Sequence, residues 1–138
     1  MPYALRVEAS RFEESGRLVL GAGELGLTCA AFVLLIFRNA GVELLDCATW
    51  TQRSPERTAA DEEAQRRLVV MLHRENSAHA DAVAAEVGCL RFRPEEVAAA
   101  SAHRPHPVDY ARVEALGQLL IAALRAPIAL PHGAPLRG

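Results

Sequence analysis

The sequence predicts an α+β fold in which an N-terminal β-hairpin leads into a buried central helix and a mostly helical C-terminal half. Residues 3–12 alternate between apolar and polar side chains, which is typical of a half-buried strand. Residues 25–37 form an almost uninterrupted apolar run, and the second half of the chain carries several helix start signals. The chain is 51% hydrophobic but only 5% aromatic, a composition that favours helices over a β-sandwich or barrel.

Length and composition limit the possible classes of protein. At 138 residues the chain is expected to form one globular domain over residues 1–126, followed by an extended or disordered tail over residues 127–138. The formal net charge of −2, without a basic cluster, argues against nucleic acid or an anionic membrane as the main partner. Three cysteines without a CxxC pair indicate reduced thiols in a cytoplasmic protein.

The first predicted elements are the two strands of the hairpin and the helix that follows them. Arg17–Leu20 pairs with residues 3–12 across a turn that contains Gly16. Thr28 is a good N-cap for a helix over Thr28–Arg38, which places Cys29 at the first helical position. Because this helix is apolar on every side, we expect the rest of the domain to wrap it. Residues 42–47 are expected to form a strand or an extended return.

Four helices are predicted in the second half of the chain. Ser54 and Pro55 begin one that runs to about Arg74, and Asn76 or Ser77 begins the next. Pro94 begins a short third helix, and Asp109 caps a last one that ends near Leu124. The side chains expected to be buried are Ala64, Leu68, Met71 and Leu72, then Ala80, Val83, Ala84 and Val87, and finally Val113, Leu116, Leu120 and Leu124.

The glycine-rich stretch before the central helix matches a dinucleotide-binding fingerprint. Gly21, Gly23 and Gly26 have the GxGxxG spacing, follow a predicted strand and open a helix. Asp46 lies about 20 residues later, where an acid could bind a ribose hydroxyl. The preceding hairpin is antiparallel, however, whereas the nucleotide crevice requires parallel βαβ winding. A nucleotide-binding domain is therefore one alternative interpretation, and a glycine-rich connection without a ligand is another.

Cys29 is the candidate nucleophile. A thiol in the first turn of a helix lies beside unpaired N–H groups and the positive end of the helix dipole, both of which stabilise a thiolate. The same N–H groups can stabilise the oxyanion that forms on an attacked carbonyl. The opposing interpretation is that Cys29 fills space, as buried cysteines often do. Cys47 and Cys89 lack this setting and are expected to be packing residues.

The stretch Gly26–Phe37 resembles the cysteine-bearing helix of papain-like cysteine hydrolases, in particular bacterial cell-wall amidases and peptidases and their circularly permuted relatives. The resemblance implies a thiol hydrolase that acts on an amide or ester of a small peptide, with Cys29 as nucleophile and a histidine as base. Neither a cofactor nor a metal is expected. It covers about a dozen residues. The chain departs from the family in its first histidine, His73, which follows the cysteine and lies in a predicted helix. A catalytically silent relative is therefore also possible.

The remaining polar groups are interpreted as structural. His103 and His106 lack further ligands nearby and are expected in a solvated loop. The acids of residues 61–63 and the bases Arg66 and Arg67 are expected to pair on an exposed helix face. Trp50 is expected to line a groove or to pack in a satellite core. A third functional interpretation is a non-catalytic interaction module, in which Ala-rich helices mediate self-association into a homo-oligomer.

Overall fold

The computed structural model describes residues 4–5 and 9–126, and it confirms the predicted α+β class with a hairpin followed by helices. Residues 3 and 6–8 of the first predicted strand and the predicted tail over residues 127–138 lie outside the described residues. The elements are β1 (Arg11–Phe12), β2 (Leu18–Val19), α1 (Cys29–Asn39), a 3₁₀ helix (Cys47–Gln52), α2 (Pro55–Leu72), α3 (Ser77–Ala84), α4 (Pro94–Ala102) and α5 (Tyr110–Arg125).

The hairpin is shorter than predicted but has the predicted antiparallel pairing. Arg11 lies opposite Val19 and Phe12 lies opposite Leu18. The turn closes through Gly16, whose φ of 79° is a left-handed conformation that favours glycine. The Phe12 ring packs edge-on against Phe32, with ring centroids 5.8 Å apart, and this contact joins the hairpin to α1.

Helix α1 begins and ends as its sequence predicts. The Thr28 hydroxyl accepts a hydrogen bond of 3.0 Å from the Ala31 N–H and so caps the first turn. At the other end, Gly41 adopts a φ of 76°. The N–H groups of Gly41 and Val42 donate to the carbonyls of Arg38 and Phe37, which forms a Schellman motif.

The rest of the domain wraps α1 less completely than its apolar sequence suggests. Ala30, Ala31 and Leu35 are buried, whereas Ile36 is 46% exposed. The reason is that α1 packs only against α4 and β1 among the described elements. One side of the helix therefore faces solvent.

The return after α1 is extended and leads into the 3₁₀ helix. Leu45 and Val108 form an isolated parallel bridge, so the predicted strand is reduced to a single pairing. Trp50 in the 3₁₀ helix is 3% exposed and packs edge-on against Phe92 and Tyr110. It belongs to the main core cluster, together with Ala30, Leu44, Leu45, Val97, Ala100, Val108, Tyr110 and Val113.

The prediction for the buried face of α2 is confirmed only in part, because Leu68 and Leu72 are half-buried against a core cluster but Met71 is not. Met71 is 62% exposed, and the buried residues are Asp61, Gln65 and Val69, which follow one another at a spacing of one helical turn. Apolarity fails as a guide here because two polar side chains on this face find buried partners elsewhere in the chain. The prediction that Asp61 belongs to an exposed charged face is therefore wrong. Its neighbours Glu62 and Glu63 do pair on the surface with Arg66 and Arg67.

The C-terminal helices pack in two pairs. Helix α3 lies against α2, and α5 lies against α4. Gly117 brings α5 close to the backbone of Glu95 in α4. Beyond Gly117 the buried stripe of α5 ends, and the predicted core residue Leu124 is 76% exposed because α4 does not extend that far.

Among residues 4–5 and 9–126, no helix combines the length and the apolarity needed to cross a bilayer.

Candidate functional site

Cys29 occupies the predicted position at the first residue of α1 and is exposed. The N–H groups of the first helical turn lie beside it. The third of them, the Ala31 N–H, donates a hydrogen bond to the Thr28 hydroxyl. Across the described part of the chain, no side chain forms a hydrogen bond with the Cys29 thiol. The structure thus places Cys29 at the predicted position in the helix, but no histidine of the described residues lies beside it as a base.

The histidines lie in other parts of the molecule. His73 Nε2 is 3.4 Å from Asp81 Oδ1 at the α2–α3 corner, and α3, which carries His79, does not contact α1. His106 Nε2 is 2.9 Å from the Ala100 carbonyl oxygen. Its loop lines a depression together with Gly41, at the end of α1 opposite to Cys29. Since 11 residues of helix span about 15 Å, this histidine is out of reach of the thiol. His132 lies outside the described residues.

The glycine-rich loop provides its own acceptor for the Gly21 N–H, the Glu24 carboxylate. The Glu24 carboxylate accepts hydrogen bonds from the N–H of Ala9 at 2.6 Å and from the N–H of Gly21 at 3.1 Å, and it also binds the Ser10 hydroxyl. Burial by itself would raise the pKa of Glu24, but these hydrogen bonds hold it below its ordinary value of 4.5. The Gly21 N–H, which a bound phosphate would need as a donor, is therefore already paired with the Glu24 carboxylate.

The sheet also lacks the crevice that a dinucleotide requires. In the described residues the sheet consists of one antiparallel pair, and the only parallel pairing is the Leu45–Val108 bridge. Asp46 directly follows that bridge, donates its backbone N–H to the Val108 carbonyl and precedes the 3₁₀ helix. This geometry does not favour the nucleotide interpretation. Nor do three or more His, Cys, Asp or Glu side chains of the described residues come together as a metal site.

A cleft that the sequence did not predict lies between the 3₁₀ helix and α2. It has a volume of about 390 Å³, and we call it the polar cleft. One wall is formed by the 3₁₀ helix and the residue after it, the second by α2, and the third by residues 88–90. Its lining residues are Cys47, Trp50, Thr51, Arg53, Thr58, Asp61, Glu62, Gln65, Gly88, Cys89 and Leu90.

A buried ion cluster adjoins the polar cleft through Arg53 and Asp61, which line it. The Arg53 side chain is 6% exposed and pairs with Asp61, which is 5% exposed, and with Glu96, which is 4% exposed. The second guanidinium nitrogen of Arg53 contacts both Glu96 oxygens, at 2.8 and 3.1 Å. Arg91 and Arg93 complete the set by contacting Asp61 at 3.4 and 2.8 Å. Three guanidinium groups therefore surround two carboxylates.

Glu96 connects this cluster to the start of α4. One of its oxygens accepts a hydrogen bond of 2.9 Å from the Arg93 N–H, which caps α4. Burial raises the pKa of Glu96, and the hydrogen bond from Arg93 and the charge of Arg53 oppose that effect. The cluster thus joins the 3₁₀ helix, α2, the 88–93 segment and α4.

Gln65 fixes the third wall of the polar cleft. Its side chain is buried, its Oε1 accepts a hydrogen bond of 2.7 Å from the Gly88 N–H, and its Nε2 donates to the Cys89 carbonyl at 3.0 Å. This pair of bonds holds residues 88–89 against α2. Both Cys89 and Cys47 line the cleft, and burial raises the pKa of the Cys47 thiol.

A second candidate surface is an apolar groove between α4 and α5. It has a volume of about 230 Å³, and we call it the alanine groove. Leu119 is 68% exposed and Leu124 is 76% exposed on the same part of α5. The groove is lined by Ala98, Ala99, Ala102, His103, Leu116 and Leu120.

Comparison with known proteins does not assign the chain to a group. No protein-family model, curated protein or solved structure matches it. The candidate sites therefore rest on their own geometry.

Sequence reasoning missed both the polar cleft and the alanine groove. The cleft depends on Arg53, Asp61 and Glu96, which are separated along the chain and resemble surface charges when read singly. One available signal was the spacing of Asp61, Gln65 and Val69 by one helical turn, which places two polar residues in line with an apolar one. The groove has a clearer signal, because Leu116, Leu119, Leu120 and Ala123 follow the i, i+3, i+4, i+7 pattern of a helix seam.

Proposed function

We propose that this chain is a helical interaction module that self-associates through the alanine groove. The observation that carries the proposal is the exposure of Leu119 and Leu124 on α5, the helix whose Leu116 and Leu120 line an apolar groove. Exposing a leucine side chain to water is unfavourable, since burying it stabilises the protein or complex by about 1.5–3 kcal/mol. An amphipathic helix laid into an apolar groove is a common way to bury such side chains.

A second copy of the chain is the occupant that fits best. None of the groove-lining residues is Asp, Glu, Lys or Arg, so the groove suits a neutral apolar side chain rather than a charged one. Leu116 and Leu120 line the groove, and Leu119 lies one helical turn from Leu116 on the same helix. A twofold axis would therefore let each copy insert its leucines beside the alanines of the other, which is the isologous arrangement of most dimers.

The test is sedimentation velocity over a range of concentrations for the wild type, Leu119→Glu and Gln118→Glu. The two variants carry the same new charge at neighbouring exposed positions, but roughly 100° apart around the helix. We expect the wild type and Gln118→Glu to dimerise and Leu119→Glu to stay monomeric. A wild type that is monomeric at every concentration, or a Leu119→Glu variant that dimerises equally well, contradicts the proposal.

A thiol hydrolase is the second candidate, supported by the exposure of Cys29 at the first position of a capped helix. In this proposal Cys29 attacks an amide or ester, and N–H groups of the first turn of α1 stabilise the oxyanion. The experiment is hydrolysis of an activated ester by the wild type, Cys29→Ser and Cys47→Ser. Loss of turnover in Cys29→Ser alone supports the proposal, and equal activity in all three proteins removes it.

The labelling rate of the same thiol provides an independent measurement. Iodoacetamide should alkylate Cys29 faster than it alkylates N-acetylcysteine at neutral pH, because only thiolates react at a useful rate. A rate equal to that of the free thiol would show that the helix end does not activate Cys29.

A further inference from the structure

The residues of the 3₁₀ helix that line the polar cleft share one face. A 3₁₀ helix has three residues per turn, so side chains three positions apart are eclipsed. Cys47, Trp50 and Arg53 have this spacing, and all three line the cleft. The fold thus directs a thiol, an indole and a guanidinium to one wall.

Two N–H donors on this wall have no acceptor among the described residues. Trp50 Nε1 and Arg53 Nε are both buried and form no hydrogen bond there, although the Trp50 residue is 3% exposed and the Arg53 side chain is 6% exposed. The other guanidinium nitrogens of Arg53 are engaged by Asp61, Glu96 and the Arg91 carbonyl. Native structures rarely leave such donors unpaired, so each one calls for an explanation.

The charge of the ion cluster that adjoins the cleft favours an anion. Arg53, Arg91 and Arg93 face only two carboxylates, those of Asp61 and Glu96, so the cluster carries one net positive charge. Glu62, which also lines the cleft, is neutralised by its pair with Arg66. A single negative charge would balance the cluster.

We propose that the polar cleft binds a small planar monocarboxylate, whose oxygen atoms accept hydrogen bonds from Trp50 Nε1 and Arg53 Nε. The cleft volume of about 390 Å³ lies at the lower end of the range of small-molecule sites, which suits one ring with its carboxylate. The indole of Trp50 and the Leu90 side chain provide apolar contacts for that ring. Neighbouring protein atoms cover both donor nitrogens, so the carboxylate reaches them when the Trp50 ring shifts.

Trp50 makes the proposal directly testable, because it is the only tryptophan in the sequence. Its fluorescence would be followed while the full chain is titrated with benzoate, benzyl alcohol or benzylamine, which share one ring and differ in the charge of the attached group. We expect a saturable change with benzoate and at least about tenfold weaker binding of the alcohol, which cannot accept charge-assisted hydrogen bonds. The amine should not bind. No saturable change with benzoate, or equal binding of the amine, overturns the proposal.

A pair of α2 variants locates the binding event. Thr58 lines the cleft and is exposed, whereas its exposed neighbour Ala59 does not line it. Thr58→Phe fills the mouth of the cleft and should abolish benzoate binding, while Ala59→Phe should bind as the wild type does. Calorimetric titration of both variants gives the dissociation constants independently of fluorescence. Equal benzoate affinity in the two variants would place binding elsewhere and overturn the proposal.

The carboxylate site is independent of self-association. The residues that line the polar cleft and the alanine groove do not overlap. Leu119→Glu should therefore keep the benzoate affinity of the wild type. Benzoate titration tests the carboxylate site and sedimentation tests self-association, so that either proposal can fail without affecting the other.

Discussion

Arg53 and Asp61 are eight residues apart in the chain and form an ion pair that is almost fully buried. This pair joins the end of the 3₁₀ helix to the first turns of α2. Arg53 also reaches Glu96 of α4, and its guanidinium lies 5.3 Å from the ring centroid of Tyr110 in α5. One side chain therefore links most of the C-terminal half, which makes the cluster a structural centre as well as the end of a cleft.

Replacing Arg53 with Met should destabilise the fold strongly. The change leaves the buried carboxylates of Asp61 and Glu96 without their main partner, and breaking a buried ion pair from one side costs about 3–5 kcal/mol. Urea unfolding followed by circular dichroism measures the loss. The matched control is Arg67→Met, whose partner Glu63 is exposed and whose pair contributes about 0.5 kcal/mol or less. Similar losses in the two variants would show that the buried cluster has no special role.

Gln65→Leu should also destabilise the protein, although it places an apolar side chain in a buried position. The variant leaves the Gly88 N–H and the Cys89 carbonyl without the partners that hold residues 88–89 against α2. A hydrogen bond contributes about 0.5–1.5 kcal/mol, and this variant loses two of them. Gln118→Leu, on the exposed side of α5, is the control and should change the free energy of unfolding little. Faster hydrogen exchange at residues 88–89 in Gln65→Leu would locate the damage, and unchanged exchange there would contradict this explanation.

Local signals were sufficient to predict where the α-helices begin, whereas long-range pairing was needed to predict the sites. Thr28, Asn76 and Asp109 each cap a helix as expected, because a cap depends only on residues within one turn. Cys29 was correctly placed for the same reason. The burial of Asp61 could not be read from α2 alone, since its partners Arg53, Arg91 and Arg93 come from other segments. An exposed pair such as Glu62 with Arg66 looks the same in sequence.

The stability contributed by Glu24 should depend on pH in a defined window. Because the folded-state pKa of Glu24 lies below its ordinary value of 4.5, its ionised form is favoured in the folded chain. The contribution is therefore fully present above about pH 4.5 and is lost as the pH falls through the lowered pKa. Glu24→Gln should lose about 1–2 kcal/mol at neutral pH, from weaker hydrogen bonds to Ala9, Ser10 and Gly21.

The measurement for Glu24 is urea unfolding of wild type and Glu24→Gln at a series of pH values from neutral downwards. The difference in free energy of unfolding should stay constant to about pH 4.5 and shrink below it. Glu14→Gln is the control, because Glu14 is exposed in the hairpin turn. A wild-type advantage that grows as the pH falls would have the wrong sign and would contradict the assignment.

Two glycine-to-alanine substitutions should have opposite effects on stability. Gly41 has a φ of 76° in the C-terminal cap of α1, a conformation that costs an L-residue about 1–2 kcal/mol, so Gly41→Ala should destabilise the protein by about that amount. Gly117 lies inside α5, and an added Cβ would come no closer than 3.5 Å to Glu95, which is an ordinary contact. Gly117→Ala should therefore stabilise the protein by up to about 1 kcal/mol, because alanine has the higher helix propensity. Urea unfolding of both variants gives the two signs directly, and a destabilised Gly117→Ala would show that α4 and α5 cross too closely at this position to accept a methyl group.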